Sequence, residues 1–187
     1  MNASIFVGDI ADADAEALCT STNPRLSLMM GTGASVRGRG GSAVSRACEA
    51  IVAAKGPLRA GSAHATTAGH LPHKLVIHCV ASDAAHRSSA EIVRVCVRNA
   101  VRIAIDAGCG SLALPILASG HASLRFDDAL QAIAEELRSA SLERVVFVVN
   151  DPERAEQARA IVRRVLGGDV EISRSTRVEP EPPSFRD

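Results

Sequence analysis

Two short glycine-rich segments carry the most direct chemistry in this sequence. Gly31-Thr32-Gly33-Ala34-Ser35-Val36 and Ala118-Ser119-Gly120-His121-Ala122-Ser123-Leu124 combine small residues with hydroxyls. Such stretches present main-chain N–H groups without side-chain bulk, and at the start of a helix they add the positive end of its dipole, which suits a phosphate or diphosphate. Asp9 follows the first apolar run in the turn Gly8-Asp9-Ile10. A carboxylate only accepts hydrogen bonds, so at a binding surface it favours an amino group over a carbonyl. After a strand it can equally cap a turn. Asn23, in Ser21-Thr22-Asn23-Pro24, carries an amide that donates and accepts at once. Before proline it is also an ordinary turn residue.

Other chemistries find little support. His64, His70, His73, His78 and His86 have neither carboxylate nor cysteine neighbours at metal-ligand spacing, so no metal is expected. His121 lies within the second glycine segment, where it either touches a ligand or is a partly exposed loop residue. Cys19, Cys48, Cys79, Cys96 and Cys109 are widely spaced, odd in number and set among aliphatic residues, with no CxxC pair, and read as small buried hydrophobes.

The elements that must position these residues follow from periodicity. Ser4 to Val7 and Ala17 to Thr20 read as short strands, Gly61 to Ala68 as another, Leu75 to Val80 as a continuous apolar strand of the kind buried on both faces, Ser111 to Leu117 as another apolar strand and Arg144 to Val149 as the next. A loop is expected over Gly31 to Gly41, leading into a helix from about Ser42 to Lys55 that Gly56-Pro57 stops. Ile92, Cys96, Ala100 and Ile103 recur at helical spacing within Ser88 to Ala107; Leu130, Ile133 and Leu137 do so within Phe126 to Ala140. Asn150 or Asp151 ahead of Pro152 starts a last helix, which Gly167-Gly168 ends near Leu166. Val170 to Ile172 is a candidate edge strand. Strands alternating with helices predict a three-layer α/β/α sandwich around a mixed, largely parallel sheet, with ligands at the carboxyl ends of the strands. One domain over residues 1–173 is expected, followed by a disordered tail over 174–187 whose Glu-Pro-Glu-Pro-Pro run buries too little to fold alone.

Composition narrows the partners. Lysine plus arginine and aspartate plus glutamate both number 21, so no global field draws the chain to nucleic acid or anionic lipid, and any anion site must be local. Four phenylalanines and no tyrosine or tryptophan leave little aromatic surface for stacking single-stranded bases. No apolar stretch approaches a membrane span, and the first ten residues lack a secretory pattern, so a cytoplasmic protein is expected. Interaction with a membrane is not expected, and a monomer is.

Taken in order, Gly8-Asp9-Ile10, Ser21-Thr22-Asn23-Pro24, the two glycine segments, Val76-Ile77-His78 and Leu114-Pro115 resemble the macrodomain family over roughly Phe6 to Leu166. The resemblance implies that ADP-ribose, free or as a modification, is bound, with no further cofactor. It implies that Asp9 accepts from the adenine amino group and that Ile10 adds a backbone contact. By the same likeness Asn23 meets the distal ribose. Gly31, Thr32, Gly33, Ala34, Ser35 and Val36 flank the phosphates and distal ribose, while Ala118, Ser119, Gly120, His121, Ala122, Ser123 and Leu124 close from the other side. Nucleic acid enters only as a modified substrate.

Departures from the family pattern bear on catalysis. The aspartate that hydrolytic members carry in the first glycine loop aligns with Gly33, and no other carboxylate occurs between Asn23 and Glu49. The aromatics that pack on the distal ribose and on adenine align with Ala122 and Asn150, each loss costing on the order of 1 kcal/mol. Phe126 and Phe147 are the nearby replacements, Phe147 being expected to point into the core. A binder is therefore the leading expectation. A hydrolase of ADP-ribosyl groups or of O-acetyl-ADP-ribose, using Asn23 and a loop-held water, is the alternative, and a protein-docking module without nucleotide binding is a third reading.

Overall fold

A computed structural model of the chain describes residues 1–120, 122 and 124–175. The strands are β1 (Asn2–Val7), β2 (Ala17–Thr22), β3 (Ala63–Thr66), β4 (Leu75–Val80), β5 (Ser111–Pro115), β6 (Arg144–Val149) and β7 (Glu171–Arg174). The helices are α1 (Gly31–Gly40), α2 (Ser42–Lys55), α3 (Ala90–Asp106), α4 (Phe126–Leu137) and α5 (Glu153–Leu166), and a 3-10 turn spans Ile10–Asp12. The seven strands lie in the order β3-β4-β2-β5-β6-β1-β7. Every pairing is parallel except β3 with β4, which is antiparallel in the register His64 opposite His78.

Both faces of the sheet are covered, which explains why its central strands are continuously apolar. Successive residues alternate between faces. Val145, Phe147 and Val149 of β6 join the layer of α3, α4 and α5, while Val146 and Val148 join that of α1 and α2. Phe147 is fully buried, as its sequence context predicts. The imidazole of His78 sits deep inside, where it meets Thr20 Oγ1 at 3.1 Å, Thr66 Oγ1 at 2.8 Å and Cys48 Sγ at 3.5 Å. Three partners spread over two strands and a helix keep its ring nitrogens paired, as a buried polar group requires.

The clearest difference from the sequence expectation is α1. Where the glycines of Gly31 to Gly41 predict a loop, the chain makes a ten-residue helix. Glycine disfavours helix by about 1 kcal/mol per residue relative to alanine, but here it permits close packing. A side chain at Gly33 would press on the Leu28 backbone, and one at Gly40 would meet the Ala68 carbonyl at 3.0 Å. With Val36 fully buried between them, tertiary contact outweighs propensity. Gly41, at φ 80, breaks α1 from α2.

Smaller shifts occur elsewhere. β3 is shorter than expected, and β5 stops at Pro115, which has no N–H to continue a ladder. The expected domain boundary at residue 173 falls inside β7, since Arg174 pairs with Val7 and Ser175 N donates to Val7 O at 2.9 Å. Residues 176–187 of the expected tail lie outside the described residues.

Candidate functional site

Five parallel strands, β4, β2, β5, β6 and β1, end on the same side of the sheet, and a cleft of about 810 Å³ lies across those ends. Four inter-strand steps of ~4.8 Å make the row ~19 Å long. Along it stand Ser82 and His86 after β4, Asn23 after β2, Ile116, Ala118, Ser119, Gly120 and Ala122 after β5, Asn150 and Asp151 after β6, and Asp9 and Ile10 after β1. Met30, Gly31, Thr32 and Ser35 of α1 and its entry form one lip.

The amino end of α1 is built to donate. Met30 is its N-cap and offers no side-chain bond, and the first backbone bond closing the helix is Ala34 N to Met30 O at 3.3 Å. The amides of Gly31, Thr32 and Gly33 precede that bond and have no partner within the helix. Gly31 adopts φ 55, a left-handed conformation that glycine tolerates. The opposite lip is less open than the glycine pattern implies: Ala118 N already donates to Ser21 Oγ at 3.3 Å and Ser119 N to Ile116 O at 3.3 Å. Its main-chain donors without a partner among the described residues are therefore those of Gly120 and Ala122.

Asp9 serves two masters. Its Oδ1 caps the 3-10 turn through Ala11 N at 2.9 Å and accepts a hydrogen bond from Ser35 Oγ, while Oδ2 faces Arg39 at 3.7 Å. Arg39 is committed more closely to Asp12, at 2.6 Å, and that hydrogen bond holds its guanidinium above the ordinary arginine value. Asp9 thus tethers α1 to the turn and still lines the cleft, with Oδ2 the less engaged oxygen. Asn23 is similarly divided: Oδ1 accepts from Arg25 N at 3.0 Å and Ser27 N at 3.2 Å. Only its Nδ2 remains to meet a ligand, so its capacity is that of a donor and no longer the two-way amide expected from its type.

Of the expected binding residues, Asp9, Ile10, Asn23, Gly31, Thr32, Ser35, Ala118, Ser119, Gly120, Ala122 and Asn150 line the cleft. Gly33, Ala34, Val36 and Leu124 do not: the helical turn of α1 rotates Gly33 and Val36 inward, and Leu124 packs against the hydrophobic core. His121 and Ser123 lie outside the described residues. Phe126 enters the cleft wall, with the Arg154 guanidinium 4.7 Å from its ring centre. Arg154, Ser82 and His86 escape the sequence reading, although Ser82 lies two residues past the apolar strand β4, at the end where parallel sheets bind ligands.

Two carboxylates line the cleft among the described residues, Asp9 and Asp151. Asp151 Oδ1 holds Glu153 N at 2.9 Å and its Oδ2 lies 3.6 Å from Arg154. Neither is a free base. Among the described residues no group of three His, Cys, Asp or Glu could hold a metal ion.

A Macro domain family model matches residues 19–133, well over half of the chain. The "Macro domain-containing protein in gbd 3'region" of Cupriavidus necator is 34% identical over 153 residues, covering 78% of this chain and 88% of that protein. The chain belongs to the Macro domain family. This macrodomain also spans 42% of an uncharacterized Mycobacterium tuberculosis protein to which it is 31% identical, with 82% of the chain covered. It is 28% identical to a protein of Enterobacter sp. strain 638 named O-acetyl-ADP-ribose deacetylase, over 89% of this chain and 97% of that one. In structure it is similar to the Trypanosoma brucei macrodomain solved in complex with ADP-ribose, with a TM-score of 0.72, 18% identity and coverage of 89% of this chain and 69% of that one. At that identity the likeness shows the shared fold.

Proposed function

We propose that the cleft binds ADP-ribose, free or carried as a mono-ADP-ribosyl modification, and that binding rather than hydrolysis is the activity of this macrodomain. The observation that carries the reading is the opposition of the uncapped amino end of α1 to a row of strand ends that terminates in the acceptor carboxylate of Asp9. Unsatisfied helix amides and the helix dipole suit a diphosphate, and Asp9 Oδ2 suits the adenine amino group. The Trypanosoma brucei macrodomain, which shares the fold, is one that holds ADP-ribose.

Calorimetric titration with ADP-ribose, ADP and AMP tests the proposal. Saturable heat with ADP-ribose and ADP, weaker with AMP, is expected; absence of binding by all three overturns it.

A second reading, hydrolysis of O-acetyl-ADP-ribose or of ADP-ribosyl esters, draws on the relative named as a deacetylase. Against it, Asn23 Oδ1 is taken by two backbone amides and Asp151 by Glu153 N and Arg154, while the one less engaged carboxylate oxygen, Asp9 Oδ2, is assigned to the adenine end; a general base needs a lone pair directed at water. Product release from O-acetyl-ADP-ribose at a rate above a no-protein control would favour it over binding alone.

A further inference from the structure

The sulfur-bearing residues of the chain divide sharply by exposure. All five cysteines are buried, Cys109 the most accessible at 4%, whereas Met1, Met29 and Met30 are 46%, 63% and 56% exposed. Hydrogen bonds of Cys79 with Cys19 and of Cys96 with Cys79 raise Cys79 and Cys96 above the ordinary thiol value, and burial raises Cys48 and Cys109. A peroxide attacks thiolates and accessible thioethers. In the native fold the sulfur open to it is therefore methionine.

The three methionines are not equivalent. Met1 precedes β1 at its amino end, roughly 20 Å of strand away from the cleft. Met29 stays outside the cleft wall, and Arg37 Nη1 donates to its Sδ at 3.2 Å. Four large apolar residues are exposed among the described ones, Met1, Met29, Met30 and Ile105, and of these Met30 alone lines the cleft. It is also the N-cap of α1, where it offers no side-chain hydrogen bond.

That position gives oxidation of Met30 a consequence that oxidation of the other two lacks. A lone pair of Sδ takes one oxygen atom from a hydroperoxide; the O–O bond breaks, water leaves, and the sulfur is oxidised by two electrons as the peroxide is reduced. The thioether becomes a sulfoxide, polar and carrying a strong acceptor oxygen. An oxygen on an N-cap side chain is placed to accept from the first-turn amides of its helix, and the unbranched methionine chain is flexible enough to bring it there. Those amides, of Gly31, Thr32 and Gly33, are the ones left open for a diphosphate. At Met29 a new oxygen faces Arg37 instead. We infer that Met30 is an oxidative modification site: its sulfoxide supplies the cap that α1 lacks, competes for the same amides as the ligand, and lowers the affinity of the cleft. This rests on the ADP-ribose reading above.

The test treats the full chain with hydrogen peroxide, maps the added oxygen by peptide mass spectrometry, and compares ADP-ribose affinity before and after by calorimetry. Met30→Leu and Met29→Leu are each compared with their own untreated form. Met29 and Met30 should gain oxygen before any cysteine does, and ADP-ribose should then bind roughly 2- to 12-fold more weakly, the equivalent of one neutral hydrogen bond. Methionine sulfoxide reductases of both epimer specificities should restore the affinity. Met29→Leu should keep the response and Met30→Leu should lose it. Cysteine oxidation ahead of Met30, unchanged affinity with Met30 oxidised, or an equal response in Met30→Leu overturns the inference while leaving ADP-ribose binding intact. If the untreated chain binds no ADP-ribose, the parent reading fails and this one with it, whatever the mass spectra show.

Discussion

Replacing Asp9 by asparagine separates the two tasks of that side chain. Oδ1 is fixed by Ala11 N and Ser35 Oγ, so an amide placed there keeps its carbonyl oxygen toward those donors and puts nitrogen where Oδ2 now faces Arg39 and the cleft. The turn stays capped. Asp9→Ala, by contrast, strips the cap at a cost of about 1 kcal/mol, which lowers Tm by ~2–4 °C in a domain of this size. At the cleft, Asp9→Asn converts an acceptor into a donor. A hydrogen bond to a charged acceptor is worth ~1.5–3 kcal/mol, so AMP affinity should fall roughly 10- to 150-fold. IMP, with a carbonyl where adenine has its amino group, should lose far less or gain. Calorimetry with AMP and IMP on both proteins, with Tm alongside, reads the exchange. AMP affinity that does not change, or AMP and IMP weakened by the same factor, would refute the placement of the adenine edge at Asp9.

Three further outcomes follow from the packing. Burial, and secondarily the charge of His64, depresses the His78 imidazole from 6.5 to about 4. It is neutral in the fold and takes up a proton on unfolding, so its contribution is complete above pH 6.5 and is lost as pH falls toward 4, by about 3 kcal/mol in all. Urea midpoints from pH 7 to 4.5 should show that slope and His78→Gln should flatten it; an unchanged slope in the variant would assign the titration elsewhere. Gly33→Asp, which introduces a carboxylate into the first glycine segment, places a Cβ 3.0 Å from Leu28 Cα, where backbone must give. It should cost ~1–3 kcal/mol of stability and confer no release of ADP-ribose; wild-type Tm, or turnover, would contradict this. All five cysteines are free and buried, with burial raising Cys48 to about 11 and also raising Cys109. A disulfide-exchange reagent at pH 8 should therefore label native protein slowly and five thiols after denaturation, and a fast native phase would count against these environments.

Much of the architecture is legible from apolar periodicity alone. β4 and β6 match their expected limits because Leu75 to Val80 and Arg144 to Val149 are buried on both faces and bounded by polar turns. α1 is not legible that way: its glycines signal flexibility locally, and what makes them helical is close packing on the backbone of Leu28, just ahead of the helix, and of Ala68, far along the chain, contacts that apolar periodicity does not signal. The site divides along the same line. Asp9 and Asn23 stand out by residue type and turn context, yet their remaining hydrogen-bonding capacity depends on Ser35, Arg25 and Ser27, which fold back onto them. Ser82 and His86 have no motif around them. They become visible once strand order puts β4 at the end of the row.

That row also explains how a chain of zero formal net charge can offer an anion site. Among the described residues lining the cleft there is no lysine and one arginine, Arg154, which sits beside Phe126 and Asp151 at the β6 end. A diphosphate at the centre of the cleft would face main-chain amides and hydroxyls of α1 and of Ser119, Gly120 and Ala122 after β5. Fixed dipoles at a helix start select for shape as well as charge, because they act within a turn and do not reach into solvent as a lysine does. A local site of this kind accepts one extended nucleotide and gives polyanions no reason to accumulate, which is the combination a reader of a single ADP-ribosyl group needs.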